Sequence, residues 1–344
     1  MPFDIAGETR LDPRVREFLA SVGAGVAEAD VDSRETMLAE ADSPEARAGV
    51  EGFRQFSGRF DTEEAAPSAG LRIHAEKVTS QPDGNTINLQ VIRPDTEETL
   101  PCVYYIHGGG MAELSCFDGI HRGWGKIIAA NGVAVVMVDF RNSIAPSSVP
   151  EVAPFPAGLN DCVSGLKWVV ANAAQLNIDP DRVIVAGESG GANLTLATGL
   201  KLKRDGDLGL IKGLYAMAPY ISGRWPASDC PSSTEFNGVF HDLHNNRAAV
   251  GYGIEAFDAR DPLAWPAFAT PADVEGFPPV VISVNECDPV RDEGVNFYRM
   301  LLAAGVEARC RQVMGTMHAI EIFNIVCPEI SRDTARDLAA FCKG

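Results

Sequence analysis

Residues 185–194 read Val-Ala-Gly-Glu-Ser-Gly-Gly-Ala-Asn-Leu. No other stretch constrains the fold as tightly. An apolar run leads in, a helix-forming run leads out, and one serine stands between glycines. Gly187-Glu188-Ser189-Gly190-Gly191 is the G-x-S-x-G pattern of a sharp strand-to-helix turn with the serine at its apex. A side chain on either flank would collide with neighbouring backbone, which calls for glycine there. The Ser189 hydroxyl then stands at the positive end of a helix, where a developing anion is stabilised. The pentapeptide alone also fits an ordinary glycine-rich turn, so its chemistry depends on what the rest of the chain supplies.

A second glycine cluster supplies part of it. The β-branched and aromatic run Cys102-Val-Tyr-Tyr-Ile106 reads as a buried strand and breaks into His107-Gly108-Gly109-Gly110. Three successive glycines carry a large backbone-entropy cost. Directly after a strand, they point to backbone amides that must approach something closely. Beside a nucleophilic serine, that something is the oxyanion of a tetrahedral intermediate.

A serine nucleophile needs a base, and the base needs an orienting carboxylate. On a strand-turn-helix serine of this kind, the acid and then the histidine follow in chain order. Of His74, His107, His121, His241, His244 and His318, only the last three follow Ser189. His318 stands in a loop just past the alternating run 308–314, where it is able to reach across a sheet end. His241 and His244 have a spacing that suits a metal, but no third ligand is near, and a solvated helix face accounts for them. Asp288 follows the continuous apolar run 279–285 and is the candidate acid. It also suits a helix cap, with Pro289 in the first turn. Asp292 and Glu293 compete with it but belong in a first helical turn.

Eight strand candidates are legible: 71–79, 86–93, 101–107, 133–139, 182–187, 211–218, 279–285 and 308–314. From the third onward they alternate with helical stretches near 120–130, 158–175, 191–204, 291–304 and 329–342. This predicts an α/β chain, an eight-stranded mostly parallel sheet with helices on both faces. The first two strands lie too close for a crossover and predict a hairpin around Pro82–Asn85. The three candidate residues all follow strand C-termini, where ligands bind in open α/β sheets. Two stretches fall outside the sheet. Residues 1–68 carry helix signals such as Ser43-Pro44-Glu45, and a stripe of Phe53, Phe56 and Phe60 that reads mainly as core. Residues 222–265 separate the sixth strand from the seventh. These boundaries leave 69–221 and 266–344 as the two parts of a catalytic domain.

The net charge of −18 argues against nucleic acid or an anionic membrane as partner. There is no run long enough to span a bilayer and no basic, apolar leader, so a cytoplasmic location is expected. Eight scattered cysteines without a C-x-x-C read as reduced and structural.

Taken together, His107–Met111, Val138–Asn142, Pro154–Pro156, Gly187–Leu194, Pro219–Gly223, Asp261–Pro266 and Asp288–Gly294 resemble the hormone-sensitive-lipase-like esterases (bacterial family IV) of the α/β-hydrolase fold. The resemblance implies Ser189 as nucleophile, His318 as base and Asp288 as its partner. It implies oxyanion donors on Gly108, Gly109 and Gly190, and a helical cap built from 1–68 and 222–265. The implied activity is a carboxylesterase acting on a small-molecule ester of short to medium acyl length. No metal or cofactor is expected, and homodimers are common among similar chains. The family commonly has Asp, Ala and Gly where this chain has Glu188, Gly190 and Ala319, changes expected to tune the acyl pocket. A non-catalytic receptor and a lyase or amidase are the alternatives on this fold. Receptors of this kind lose a triad member, and this chain keeps all three.

Overall fold

The hairpin forms as its spacing predicts. Strands β1 (Leu71–Thr79) and β2 (Thr86–Pro94) pair antiparallel, with Leu71 opposite Pro94 and Thr79 opposite Thr86. The computed structural model describes residues 3–23 and 27–344; residues 1, 2 and 24–26 of the expected N-terminal helical segment lie outside them. Six further strands follow: β3 (Leu100–Ile106), β4 (Ala134–Asp139), β5 (Ile178–Glu188), β6 (Gly213–Met217), β7 (Val280–Asn285) and β8 (Ala308–Val313). Their order across the sheet is β1-β2-β4-β3-β5-β6-β7-β8. Only the β1–β2 and β2–β4 pairs are antiparallel.

Helices α1 (Pro13–Val22), α2 (Arg34–Ala41) and α3 (Pro44–Ser57) precede the sheet. Ser43 caps α3, its hydroxyl accepting from the Ala46 amide at 3.2 Å, with Pro44 in the first turn. Then α4 (Gly119–Ala129), α5 (Ala157–Ala171), α6 (Ala173–Leu176) and α7 (Gly190–Asp205) alternate with the strands. The single helix expected over 158–175 is interrupted at Asn172. Its backbone leaves the helical region at φ −107°, ψ 19°, and its side-chain amide donates to the Trp168 carbonyl at 2.8 Å. Short α8 (Ser232–Glu235) and longer α9 (Arg247–Asp258) belong to the stretch between β6 and β7. The chain closes with α10 (Pro271–Val274), α11 (Arg291–Ala303) and α12 (Pro328–Lys343).

Strand alternation builds two cores. On β3, Cys102, Tyr104 and Ile106 face α5 and α7, packing with Leu159, Cys162 and Leu196. Val103 and Tyr105 face the other way, toward Trp124 of α4 and Leu338 of α12. Strands β3, β4, β6 and β7 are buried along their whole length, which explains their unbroken apolar sequences. Edge strand β1 instead exposes Arg72, His74 and Lys77, charges and polarity that discourage edge-to-edge pairing. Phe60 is fully buried and meets Phe56 edge-on at 5.4 Å, while half-buried Phe53 faces the main cavity. All eight cysteines are free thiols, and Cys287 packs in the second core. No helix among the described residues is long and apolar enough to cross a membrane.

Candidate active site

The turn after β5 brings Ser189 to the C-terminal edge of the sheet. Ser189 has φ 57°, ψ −121°, a conformation that L residues adopt only under local constraint. Its amide donates to the Met217 carbonyl at 2.9 Å, and its carbonyl accepts from Ala192 and Asn193 at 3.0 and 3.1 Å. The glycines around it follow from contact. A Cβ on Gly191 would stand 2.0 Å from the Ile106 carbonyl oxygen, and one on Gly187 would stand 2.5 Å from the same atom.

Ser189 Oγ lies 2.8 Å from His318 Nε2, and His318 Nδ1 lies 2.8 Å from Asp288 Oδ2. The carboxylate fixes the tautomer: Nδ1–H donates to Asp288, leaving Nε2 to accept the serine proton. Burial disfavours the imidazolium, but Asp288 outweighs it, so the His318 pKa is raised. Asp288 also keeps a share of its expected capping role. Its Oδ1 accepts from the Val290 amide at 3.0 Å and turns the chain, while α11 itself starts at Arg291. Asp292 and Glu293 lie in that first turn, as expected. Asp292 accepts from Ser232 N at 2.7 Å; Glu293 accepts from Ile221 N and Trp225 Nε1 at 3.0 and 3.3 Å.

The loop after β3 packs directly on the serine, and here the structure corrects one expectation. The Gly108 amide, an expected oxyanion donor, already donates to Glu188 Oε1 at 2.6 Å. Among the described residues, the amides of Gly109 and Gly110 have no protein acceptor. A Cβ on Gly190 would stand 2.8 Å from Gly110 N, so the third glycine of the run adjoins the start of α7. Gly109 and Gly110 have φ of 101° and 61°, which the glycine run makes accessible. The signal for Gly110 was in the sequence. What was missing was the direction of each amide.

A cavity of about 810 Å³ opens over Ser189 and His318. One wall is Met37, Val50 and Phe53 from the N-terminal segment; another is Trp225, Leu243 and Tyr252 from the 222–265 stretch. The expectation for His241 and His244 is also corrected. They lie in a loop rather than on a helix face, because Asn237 binds Asp242 and the Leu243 amide and curls the chain. His241 lines the cavity, its ring 5.1 Å from that of His318, while His244 Nε2 meets the Ser233 carbonyl at 2.8 Å. Glu188 also lines the cavity. Its carboxylate is tied to Gly108 and Tyr105 under the loop.

A family model described as the alpha/beta hydrolase fold matches residues 103–322. A carboxylesterase of Mycobacterium tuberculosis, NlhH, is 31% identical over 92% of this chain and 96% of its own length. Among solved structures, esterase Est22 is 62% identical with a TM-score of 0.96, covering 99% of this chain and 100% of its own. Brefeldin A esterase, described as a bacterial homologue of human hormone-sensitive lipase, is 35% identical with a TM-score of 0.85, over 98% of this chain and 94% of its own. The chain belongs to the alpha/beta hydrolase fold family, among its carboxylic ester hydrolases.

Proposed function

We propose that this chain is a serine carboxylesterase in which Ser189 is the nucleophile, His318 the general base and Asp288 its orienting acid. The observation that carries the reading is the unbroken line Asp288–His318–Ser189, joined by two 2.8 Å hydrogen bonds at the floor of the cavity. His318 Nε2 takes the hydroxyl proton as Oγ attacks the ester carbonyl carbon. The amides of Gly109, Gly110 and Gly190 receive the oxyanion. The imidazolium then protonates the leaving alcohol. Water, deprotonated by the same nitrogen, attacks the acyl-enzyme and releases the acid. Every step uses groups of this chain and water.

Residues 1–68 and 222–265 act in this reading as a cap over the hydrolase body 69–221 and 266–344. Walls on several sides favour short to medium acyl chains over a lipid-facing groove. The test is hydrolysis of p-nitrophenyl esters, acetate to palmitate, by wild type, Ser189→Ala and His318→Ala. Either substitution lowers kcat by about 10⁴-fold, and wild-type turnover peaks at short to medium chains. A folded Ser189→Ala protein with near-normal turnover would remove the triad assignment. A wild type silent on every chain length would turn attention to ligand binding or elimination chemistry.

A further inference from the structure

Beneath the oxyanion loop lies a fully buried carboxylate ringed by donors. Glu188 Oε1 accepts from the Gly108 amide at 2.6 Å and lies 3.1 Å from His121 Nε2; Oε2 accepts from the Tyr105 hydroxyl. Glu188, Tyr105 and His121 are each at most 1% exposed. The Gly108 N–H and the Tyr105 O–H both donate to it, which favours the carboxylate form. The state of His121 follows from its other side. Nδ1 lies 2.8 Å from the Ser115 carbonyl oxygen, which only accepts, so Nδ1 carries a proton. Nε2 faces the carboxylate at 3.1 Å, where the negative charge favours the imidazolium. The arrangement favours a buried imidazolium–carboxylate pair. Burial opposes both charges, and each partner offsets it: the His121 pKa is raised and the Glu188 pKa lowered. The neighbouring ring of His107, 5.3 Å away by centroids, is kept neutral by burial and by His121.

The placement of this pair relates it to the reaction. Glu188 is the residue before Ser189, and Gly108 is the residue before Gly109. One carboxylate thus joins the strand end that carries the nucleophile to the loop that carries two oxyanion donors. A Cβ at Gly108 would stand 2.9 Å from Glu188 Oε1 and 3.3 Å from Ser189 Cβ, so the two segments are in direct contact. A buried ion pair adds little net stability over apolar packing, so its value here lies in the geometry it can impose.

We propose that Tyr105 and His121 are positioning residues for ester hydrolysis, acting through Glu188: they hold its carboxylate on the Gly108 amide and so set the oxyanion loop against Ser189. This rests on the serine mechanism proposed above. Both side chains are buried, with His121 at the margin of the cavity.

The experiment compares Tyr105→Phe, His121→Gln, Glu188→Gln and Glu188→Asp with Tyr104→Phe as control. Tyr104 also buries a hydroxyl bond, to the Cys162 carbonyl at 2.8 Å, but on the other face of β3. The readouts are kcat and KM on a p-nitrophenyl ester, melting temperature, and Ki for a trifluoromethyl ketone, which adds Ser189 as a tetrahedral oxyanion. Tyr105→Phe and His121→Gln lower kcat about ten-fold, and Glu188→Gln about 10²-fold, with KM little changed. Ketone affinity falls by a similar factor, and Glu188→Asp recovers part of the loss. Tyr104→Phe lowers the melting temperature without lowering kcat. Should His121→Gln fail to fold, Tyr105→Phe still decides the matter. Wild-type kcat and ketone affinity in folded Tyr105→Phe overturn the proposal, as does an equal kcat loss in Tyr104→Phe. If Ser189→Ala stays active or the ketone does not bind wild type, the serine mechanism itself fails.

Discussion

Ser189 holds its backbone at φ 57°, ψ −121°, a strain of about 1–3 kcal/mol for a residue with a side chain. Ser189→Gly removes that strain and the nucleophile together. It is expected to melt above Ser189→Ala in a calorimetric comparison, while both lack turnover. The proposed base, His318, works only when neutral. Burial lowers its pKa, Asp288 raises it more, and the net shift is upward from 6.5. Protonation therefore removes activity as pH falls, and the acidic limb of kcat/KM lies above the usual imidazole value. Asp288→Asn removes the raising charge; its limb moves to lower pH while its rate drops, and a pH–rate profile of both proteins checks this. The convergence of Ser189, Asp288 and His318 is legible because chain order and strand ends restrict them. The engagement of the Gly108 amide is not legible, because its partner Glu188 lies 80 residues away and no local pattern encodes that. His241 was misjudged for a related reason: a loop held by Asn237 decides where it faces.

At the scale of elements, the sheet was readable because period-two alternation and continuous apolar runs follow directly from covered faces. The break at Asn172 was not, since it depends on one side chain competing for the Trp168 carbonyl. The start of α7 allows a sharper expectation. A methyl on Gly190 would meet Met111 N at 2.6 Å and Gly110 N at 2.8 Å, backbone atoms that do not give way cheaply. Gly190→Ala is expected to displace the glycine loop and to lower kcat several-fold with KM nearly constant, measured on p-nitrophenyl acetate. The same helix carries Asn193, whose side-chain amide donates to the Tyr220 and Ala264 carbonyls at 3.0 and 3.1 Å. These carbonyls stand at the two ends of the 222–265 stretch. Asn193→Ala leaves both acceptors without that donor and is expected to destabilise the protein by about 1–3 kcal/mol, read by urea unfolding, with a raised KM.

Across the whole molecule, the N-terminal segment and the 222–265 stretch are bound to one another as well as to the sheet. Asn246 pairs both ways with the Val31 backbone at 2.8 and 2.9 Å. Arg247 bridges Glu28 and Glu40, and Arg10 reaches Glu235 at 2.5 Å. None of these contacts was legible, because they join residues more than 200 positions apart through side chains without a local signature. Arg247→Ala is expected to loosen the wall it braces and to raise KM a few-fold with kcat preserved. The difference should shrink in about 1 M salt, where such charges are screened; steady-state kinetics at two ionic strengths checks it. The neck at Asn193 has a last consequence, for inheritance. A stretch fastened at both ends by one side chain of the helix that follows Ser189 is a cassette. Its cavity-facing side chains can be exchanged with the Asn193 neck and its ties to residues 289–293 kept, leaving the reacting atoms where they are. Such exchanges are expected to change what the cavity accepts before they change the chemistry at its floor.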